Sequence, residues 1–253
     1  MRRHRPTAAP SISIVIPAFN ESKRLPSAIR SIASHLGAQS LGRAEVLVID
    51  DGSEDGTSAT AEEGRSGLEG EGARLRVLRN AGNRGKGYSV RRGMREAKCD
   101  WILFSDADQS TPISELDRLL RGAVTGGHDV AIGSRGIDRS LIGVRQPLYR
   151  ELAGRLFNLN VRLLTGLDIA DTQCGFKLFR REAARRIAAM QRTDRFGFDV
   201  EQLYLARKMG YSIVEVPVRW DNAEESSVGL ADGLKAFADV WRVKWNDLAG
   251  RYA

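Results

Sequence analysis

Trp101-Ile102-Leu103-Phe104-Ser105-Asp106-Ala107-Asp108-Gln109-Ser110-Thr111-Pro112 joins a four-residue apolar run to two carboxylates one residue apart. A short apolar run bounded by a turn reads as a buried strand, and the residues after it arrive at the carboxyl edge of a sheet, where open α/β folds bind ligands. Two aspartates at that edge offer hard oxygen ligands to Mg²⁺ or Mn²⁺, cations that usually keep substrate phosphates as further ligands. The pattern predicts a metal grip and a bound diphosphate. A purely structural reading stands beside it: both aspartates cap the helix that Thr111-Pro112 begins, with proline at its first position.

On either side, short β-branched runs alternate with helical patterns from Ser11 to about Ser134, the signature of a parallel sheet with crossover helices. Strands are expected at 11–17, 45–49, 75–78, 101–104 and 129–132, and Leu25, Ile29, Ile32, Ala33 and Leu36 mark one helical face. The glycine-rich segment 64–72 reads as a surface loop. After Gly136 come long basic helices, the run Phe176–Phe179, a strand at 211–218 and a last helix from about Leu230. With 253 residues, no internal repeat and no Pro/Ser-rich linker, one α/β domain with a C-terminal elaboration is the simplest organisation. The divisions expected are a basic tail at 1–10, the main domain at 11–228 and an amphipathic helix at 229–253.

The net charge of +7 favours an anionic partner. No helix-turn-helix, zinc or RNA-binding motif is present and the charge is dispersed, so nucleic acid is not expected. No G-x-G-x-x-G follows the first strand, which sets aside a nicotinamide dinucleotide fold. Nothing approaches the roughly 20 apolar residues of a membrane-spanning helix, and the basic start Met1-Arg-Arg-His-Arg-Pro6 lacks a cleavage pattern. Cys99 and Cys174 have no metal-like spacing and fit a reducing, cytoplasmic compartment.

Three further strand-end segments carry polar groups to the same edge. Ile16-Pro17-Ala18-Phe19-Asn20-Glu21 leaves the first strand abruptly and frees a carboxylate. Val48-Ile49-Asp50-Asp51-Gly52-Ser53 sets two acids before a glycine turn, and Gly82-Asn83-Arg84-Gly85-Lys86-Gly87 enters a helix at about Tyr88, its glycines and lysine suited to a phosphate or a nucleoside. Each has a plain structural reading as turn or cap; their convergence on one edge points to a ligand.

Pro17–Glu21, Asp50-Asp51-Gly52-Ser53-Glu54-Asp55-Gly56-Thr57, Asn83–Gly87 and Asp106-Ala107-Asp108 together resemble the family 2 glycosyltransferases of the GT-A fold, over nearly the whole chain. Gly133-Ser134-Arg135, Asp171-Thr172-Gln173-Cys174-Gly175-Phe176-Lys177-Leu178-Phe179, Phe198-Asp199-Val200-Glu201 and Glu215–Trp220 are similar to the dolichyl-phosphate glucosyltransferase and mannosyltransferase group, and the long Asp171–Phe179 match points to the glucosyl branch. The resemblance implies that Pro17, Ala18, Glu21, Asp50 and Asp51 hold the nucleoside, with Lys86 and Asp106 also on the nucleotide. It implies that Asp106 and Asp108 hold the metal, Asp108 and Arg135 being the catalytic pair. In the mannosyl branch a glutamine two residues after the second aspartate helps the metal; Ser110 stands there, leaving the third ligand open.

The implied acceptor is a polyprenyl phosphate, already ionised near neutral pH, which needs cationic positioning more than a general base. Arg135 and Arg145 are the candidates for clamping its phosphate, and Asp199 and Glu201 have open roles. A lipid acceptor implies a peripheral site on the cytoplasmic face of an anionic membrane. Leu148–Leu164 and the row Leu230, Leu234, Phe237, Trp241, Trp245 and Leu248 are candidate interfacial helices; both also read as helices packed on the core, the expected reading for the C-terminal one. The leading expectation is metal-dependent, inverting transfer of a hexose, glucose first, from a nucleotide sugar. The alternatives are a saccharide acceptor, a GDP-mannose donor, or a non-catalytic nucleotide-sugar or anionic-lipid binding module.

Overall fold

The computed structural model describes residues 9–144, 148–221 and 230–252. Their strands are β1 (Ile12–Ala18), β2 (Ala44–Asp50), β3 (Ala73–Arg79), β4 (Trp101–Ser105), β5 (Val130–Ser134), β6 (Ile142–Val144), β7 (Phe176–Arg180), β8 (Ile213–Pro217) and β9 (Trp220–Asp221). Their helices are α1 (Leu25–Gly37), α2 (Thr57–Glu63), α3 (Arg65–Gly70), α4 (Lys86–Glu96), α5 (Leu116–Leu120), α6 (Leu148–Thr165), α7 (Arg181–Met190), α8 (Phe198–Lys208) and α9 (Leu230–Leu248).

The main sheet runs β3-β2-β1-β4-β7-β5-β8, while β6 and β9 form a small parallel pair. β1 is buried along its whole length, as a central strand covered on both faces must be, whereas the edge strand β3 exposes Arg74 and Arg79. Helices close both faces. Leu25, Ile29, Ile32 and Leu36 of α1 pack over one core; Val90 and Met94 of α4, Ile187 of α7 and Leu203 of α8 pack over the other.

The five strands expected from the alternating pattern are present, and all lie parallel except where β7 intervenes. β7 runs antiparallel between β4 and β5, so Lys177 stands opposite both Phe104 and Ile132. The chain reaches β7 from α6 rather than from a crossover that starts at the sheet's opposite edge, and the reversed strand carries Gly175 to the ligand-facing edge.

Four expectations need correction. The segment 64–72 is not a loop: α3 forms there because Leu68 is fully buried and Arg65 pairs with Glu62 and Glu69. The helix expected at Tyr88 begins at Lys86. Pro112 sits just before a short 3₁₀ turn, Ile113–Glu115, and no side chain caps that turn, so Asp106 and Asp108 are not helix caps. α9 packs on the core through Ala236, Val240 and Val243 and through Phe237 of the row of large residues, whose ring meets Phe157 at 5.2 Å, whereas Trp241, Trp245 and Leu248 of that row are 60%, 65% and 71% exposed.

Candidate active site

Asp106 and Asp108 follow β4 at the carboxyl edge and line a small open cavity together with Ser110, Thr111, Gly175 and Trp220. Among the described residues the Asp108 carboxylate accepts only the Ser110 backbone N–H, at 2.9 Å. Asp106 Oδ1 is buried without a hydrogen bond of good geometry and faces Lys86 Nζ at 2.7 Å. Burial, with Asp108 and Asp199 nearby, raises the Asp106 carboxyl above its ordinary value although Lys86 opposes the shift. Burial works against the Lys86 charge too, but Asp106, Asp199 and Asp108 outweigh it and raise its value. This excess of carboxylate over ammonium, with Asp106 Oδ1 held by Lys86 alone, is the donor chemistry that suits a hard divalent cation. Among the described residues no group of three or more His, Cys, Asp or Glu converges, so a cation at Asp106 and Asp108 draws its other ligands from elsewhere.

The exits of β1 and β2 are stitched together beside this pair. Asn20, with a positive φ of 57°, donates its N–H to Ser53 Oγ at 2.9 Å and accepts the Glu54 N–H at 3.1 Å, while the Glu21 N–H reaches Thr57 Oγ1 at 2.9 Å. Glu21 pairs with Arg24 at 2.6 Å. Burial raises the Glu21 carboxyl, Arg24 opposes, and Asp108 and Asp106 add to the rise, so Glu21 belongs to the same field.

Asp50 and Asp51 are buried and engaged with the protein. Asp50 accepts the Ser53 N–H at 2.8 Å and the Ser58 hydroxyl. Asp51 accepts Asn80 Nδ2 at 2.6 Å and the Arg84 and Gly85 N–H groups at 3.0 and 2.7 Å. It thereby fastens the loop that presents Lys86. Gly85 at φ 104° makes this turn, and a Cβ there would overlap the Asp194 carbonyl.

The run Asp171–Phe179 builds the opposite wall. Asp171 receives Arg135 in a fork, Nε at 2.6 Å and Nη2 at 2.8 Å, and also the Arg135 N–H at 3.1 Å. The guanidinium lies 5.3 Å from the Trp220 ring centroid. Burial opposes the ionised Asp171, yet Arg135 outweighs it and holds the carboxyl below its ordinary value. A depressed carboxyl contributes stability above the unfolded value of about 3.9 and loses it as the pH falls through the folded value. The gap in melting temperature between the wild type and Asp171→Asn is therefore expected to narrow below about pH 4 in a pH series of thermal melts.

Gly175 touches Asp106 directly: its carbonyl accepts the Asp106 N–H at 3.1 Å, and a Cβ would overlap both Oδ2 and Cγ of Asp106. Gly175→Ala is expected to displace that carboxylate and lower kcat on the order of 100-fold, with a near-wild-type circular dichroism spectrum.

Lys177 is a functional neighbour that the sequence pattern alone did not single out, although a lysine inside the apolar Phe176–Phe179 run was a signal. Its side chain is fully buried, donates to the Cys174 carbonyl at 2.6 Å and pairs with Asp199. Lys177 and Lys86 lie 5.6 and 5.5 Å from the Phe104 ring centroid. Glu201 turns elsewhere, accepting the Arg192 and Thr193 N–H groups and the Tyr252 hydroxyl. Cys99 and Cys174 are free and buried, and burial pushes the Cys174 thiol up to about 11. Pro17 and Ala18 end β1 at this edge. Arg145 lies outside the described residues.

An open, mostly parallel sheet with a paired aspartate at its carboxyl edge is the architecture of a nucleotide-sugar transferase. The chain belongs to glycosyl transferase family 2, whose model matches residues 13–188, and is a glycosyltransferase. It is similar to the dolichyl-phosphate beta-glucosyltransferase of Drosophila melanogaster, 38% identical with 86% of this chain and 69% of the fly protein covered. The protein of the same name from Dictyostelium discoideum is 34% identical over 94% of this chain and 75% of its own length. In fold it resembles glucosyl-3-phosphoglycerate synthase from Mycobacterium tuberculosis in complex with Mn²⁺, UDP-glucose and glycerol 3-phosphate, with a TM-score of 0.67 at 20% identity, covering 96% of this chain and 87% of that one. The fold is GT-A, as the motifs implied.

Proposed function

We propose that this chain transfers glucose from UDP-glucose to dolichyl phosphate or another polyprenyl phosphate, with inversion at the anomeric carbon. The observation that carries this reading is the pairing of the Asp106/Asp108 edge with relatives 34–38% identical that bear the dolichyl-phosphate beta-glucosyltransferase name. Pro17, Ala18, Glu21, Asp50 and Asp51 border the nucleoside, Asp51 shaping that border through the 80–85 loop its carboxylate holds. Lys86 is placed to follow the diphosphate as well as Asp106.

Asp106 and Asp108 would hold Mg²⁺ or Mn²⁺, and the cation would supply charge neutralisation for the leaving diphosphate. Arg135 orients the acceptor phosphate, and Asp171 fixes the guanidinium so that little rotamer freedom is lost on binding. A phosphate oxygen of the acceptor attacks the anomeric carbon, the bond from that carbon to the UDP oxygen breaks, and its electron pair leaves with UDP. No proton needs removing from the acceptor, so the site requires positioning rather than a strong base.

Among the described residues no helix is long and apolar enough to cross a membrane. We propose that the chain contacts the membrane surface from the cytoplasmic side, a reading supported by exposed Leu156, Leu159 and Leu163 on α6 and by Trp241, Trp245 and Leu248 on α9. Trp241→Ala/Trp245→Ala is expected to lower the fraction that floats with anionic vesicles in a density gradient.

The reaction is tested by measuring nucleotide release from UDP-glucose, UDP-galactose and GDP-mannose against dolichyl phosphate, a saccharide mixture and no acceptor. UDP release from UDP-glucose that depends on dolichyl phosphate supports the reading. Release that depends only on saccharides, or only on GDP-mannose, replaces it.

A further inference from the structure

An open groove lies between the segment 192–196 and α9, and it shares no lining residue with the Asp106/Asp108 cavity. Its charged lining is four cations, Arg192, Arg195, Lys235 and Arg242, against two carboxylates, Asp194 and Asp239. Both carboxylates have partners already. Asp194 pairs with Arg91 at 2.7 Å; Asp239 accepts the Gly197 N–H at 3.1 Å and lies 3.5 Å from Arg242.

The cations differ in how firmly they are held. Arg192 is fixed, its Nε and Nη2 donating to the Arg251 carbonyl at 3.1 and 3.0 Å. Arg242 is 68% exposed. Arg195 is exposed and makes no hydrogen bond or ion pair among the described residues. The base is rigid, because Gly197 approaches Asp239 so closely that a Cβ would overlap it, and Glu201 pins the Arg192 and Thr193 N–H groups.

α9 shows a second property beside this groove. Lys235 and Arg242 recur seven residues apart on one side of the helix. The exposed Trp241, Trp245 and Leu248 form a separate row. At 3.6 residues per turn, the two rows sit roughly 100° apart on the same helix, so a lipid lying along the tryptophans brings its headgroup toward the arginines.

We infer that this groove is a phosphate-recognition site for the headgroup of an anionic membrane lipid, separate from the site where the acceptor reacts. Guanidinium groups bind phosphate oxygens in pairs; Arg195 is unengaged among the described residues, and Arg242, 68% exposed, gives up only a 3.5 Å contact with Asp239, which keeps the Gly197 N–H. The assignment rests on the surface attachment proposed above, and gives that attachment a preference for anionic headgroups.

The test is flotation of the full chain with phosphatidylcholine vesicles, with and without phosphatidic acid, together with calorimetric titration of sn-glycerol 3-phosphate. Arg195→Ala/Arg242→Ala is expected to lower partition onto phosphatidic acid vesicles about twentyfold and to leave partition onto neutral vesicles unchanged. Circular dichroism checks that the variant is folded. A variant that keeps the wild-type preference for phosphatidic acid overturns the site. If the wild type floats with neither vesicle, surface attachment fails. In that event, glycerol phosphate binding that the double variant loses shows a soluble phosphate ester as the ligand and overturns the lipid assignment, and no binding overturns the groove as a phosphate site.

Discussion

Asp108→Ala is expected to lower turnover on the order of 1,000-fold while the melting temperature stays within about 2 °C of the wild type. The asymmetry follows from how little Asp108 does for the fold: it is part-exposed, and its carboxylate accepts one local N–H, from Ser110. Everything else it offers faces the cavity, where its charge adds to that of Asp106. Removing it takes away half of the carboxylate pair that would grip a divalent cation and none of the core. The check is kcat at saturating donor beside a Mn²⁺ titration of the variant. Full metal-dependent turnover in Asp108→Ala would remove the metal role from this pair.

Lys177→Met reverses the balance, with a loss of about 3–5 kcal/mol in stability and a fall of about 10 °C in melting temperature. Lys177 has no exposed side-chain surface and Asp199 only 11%, so the substitution strands a carboxylate in the interior. The same change frees the Cys174 carbonyl, one residue from the glycine that rests on Asp106, so kcat should fall as well. Lys177→Met/Asp199→Leu should recover most of the stability, because the cost lies in the unpaired charge rather than in losing the pair. Thermal melts of both variants decide it: a single variant as stable as the wild type would show that the pair is not buried in solution.

The parallel half of the fold was legible because its strands are buried on both faces and read as continuous β-branched runs, each followed by polar residues at one edge. Asp106, Asp108 and Lys86 were legible for the same reason, and the structure sets Lys86 against Asp106 and lines one cavity with Asp106 and Asp108. The antiparallel direction of β7 was not, since strand direction depends on where α6 delivers the chain and not on any residue in Phe176–Arg180. α9 carries two apolar rows at helical spacing, one of large side chains and one of Ala236, Val240 and Val243. The row of large residues divides: Phe237 packs against Phe157, while the tryptophans stay outside because the small side chains of the second row bring α9 close to the core. Asp51 shows the remaining gap: a carboxylate in a motif reads as ligand-facing, yet three of its hydrogen bonds hold the protein's own Lys86 loop. Which donors a buried carboxylate will find is a property of the assembled loops.

The most direct measurement is transfer of radiolabelled glucose from UDP-glucose into a butanol-extractable lipid in the presence of dolichyl phosphate and Mn²⁺. The result expected is label in the lipid, released by mild acid as glucose, absent without dolichyl phosphate and absent with Asp108→Ala. Label that stays in the aqueous phase, or that leaves UDP-glucose only when a saccharide is supplied, would contradict a lipid-phosphate acceptor.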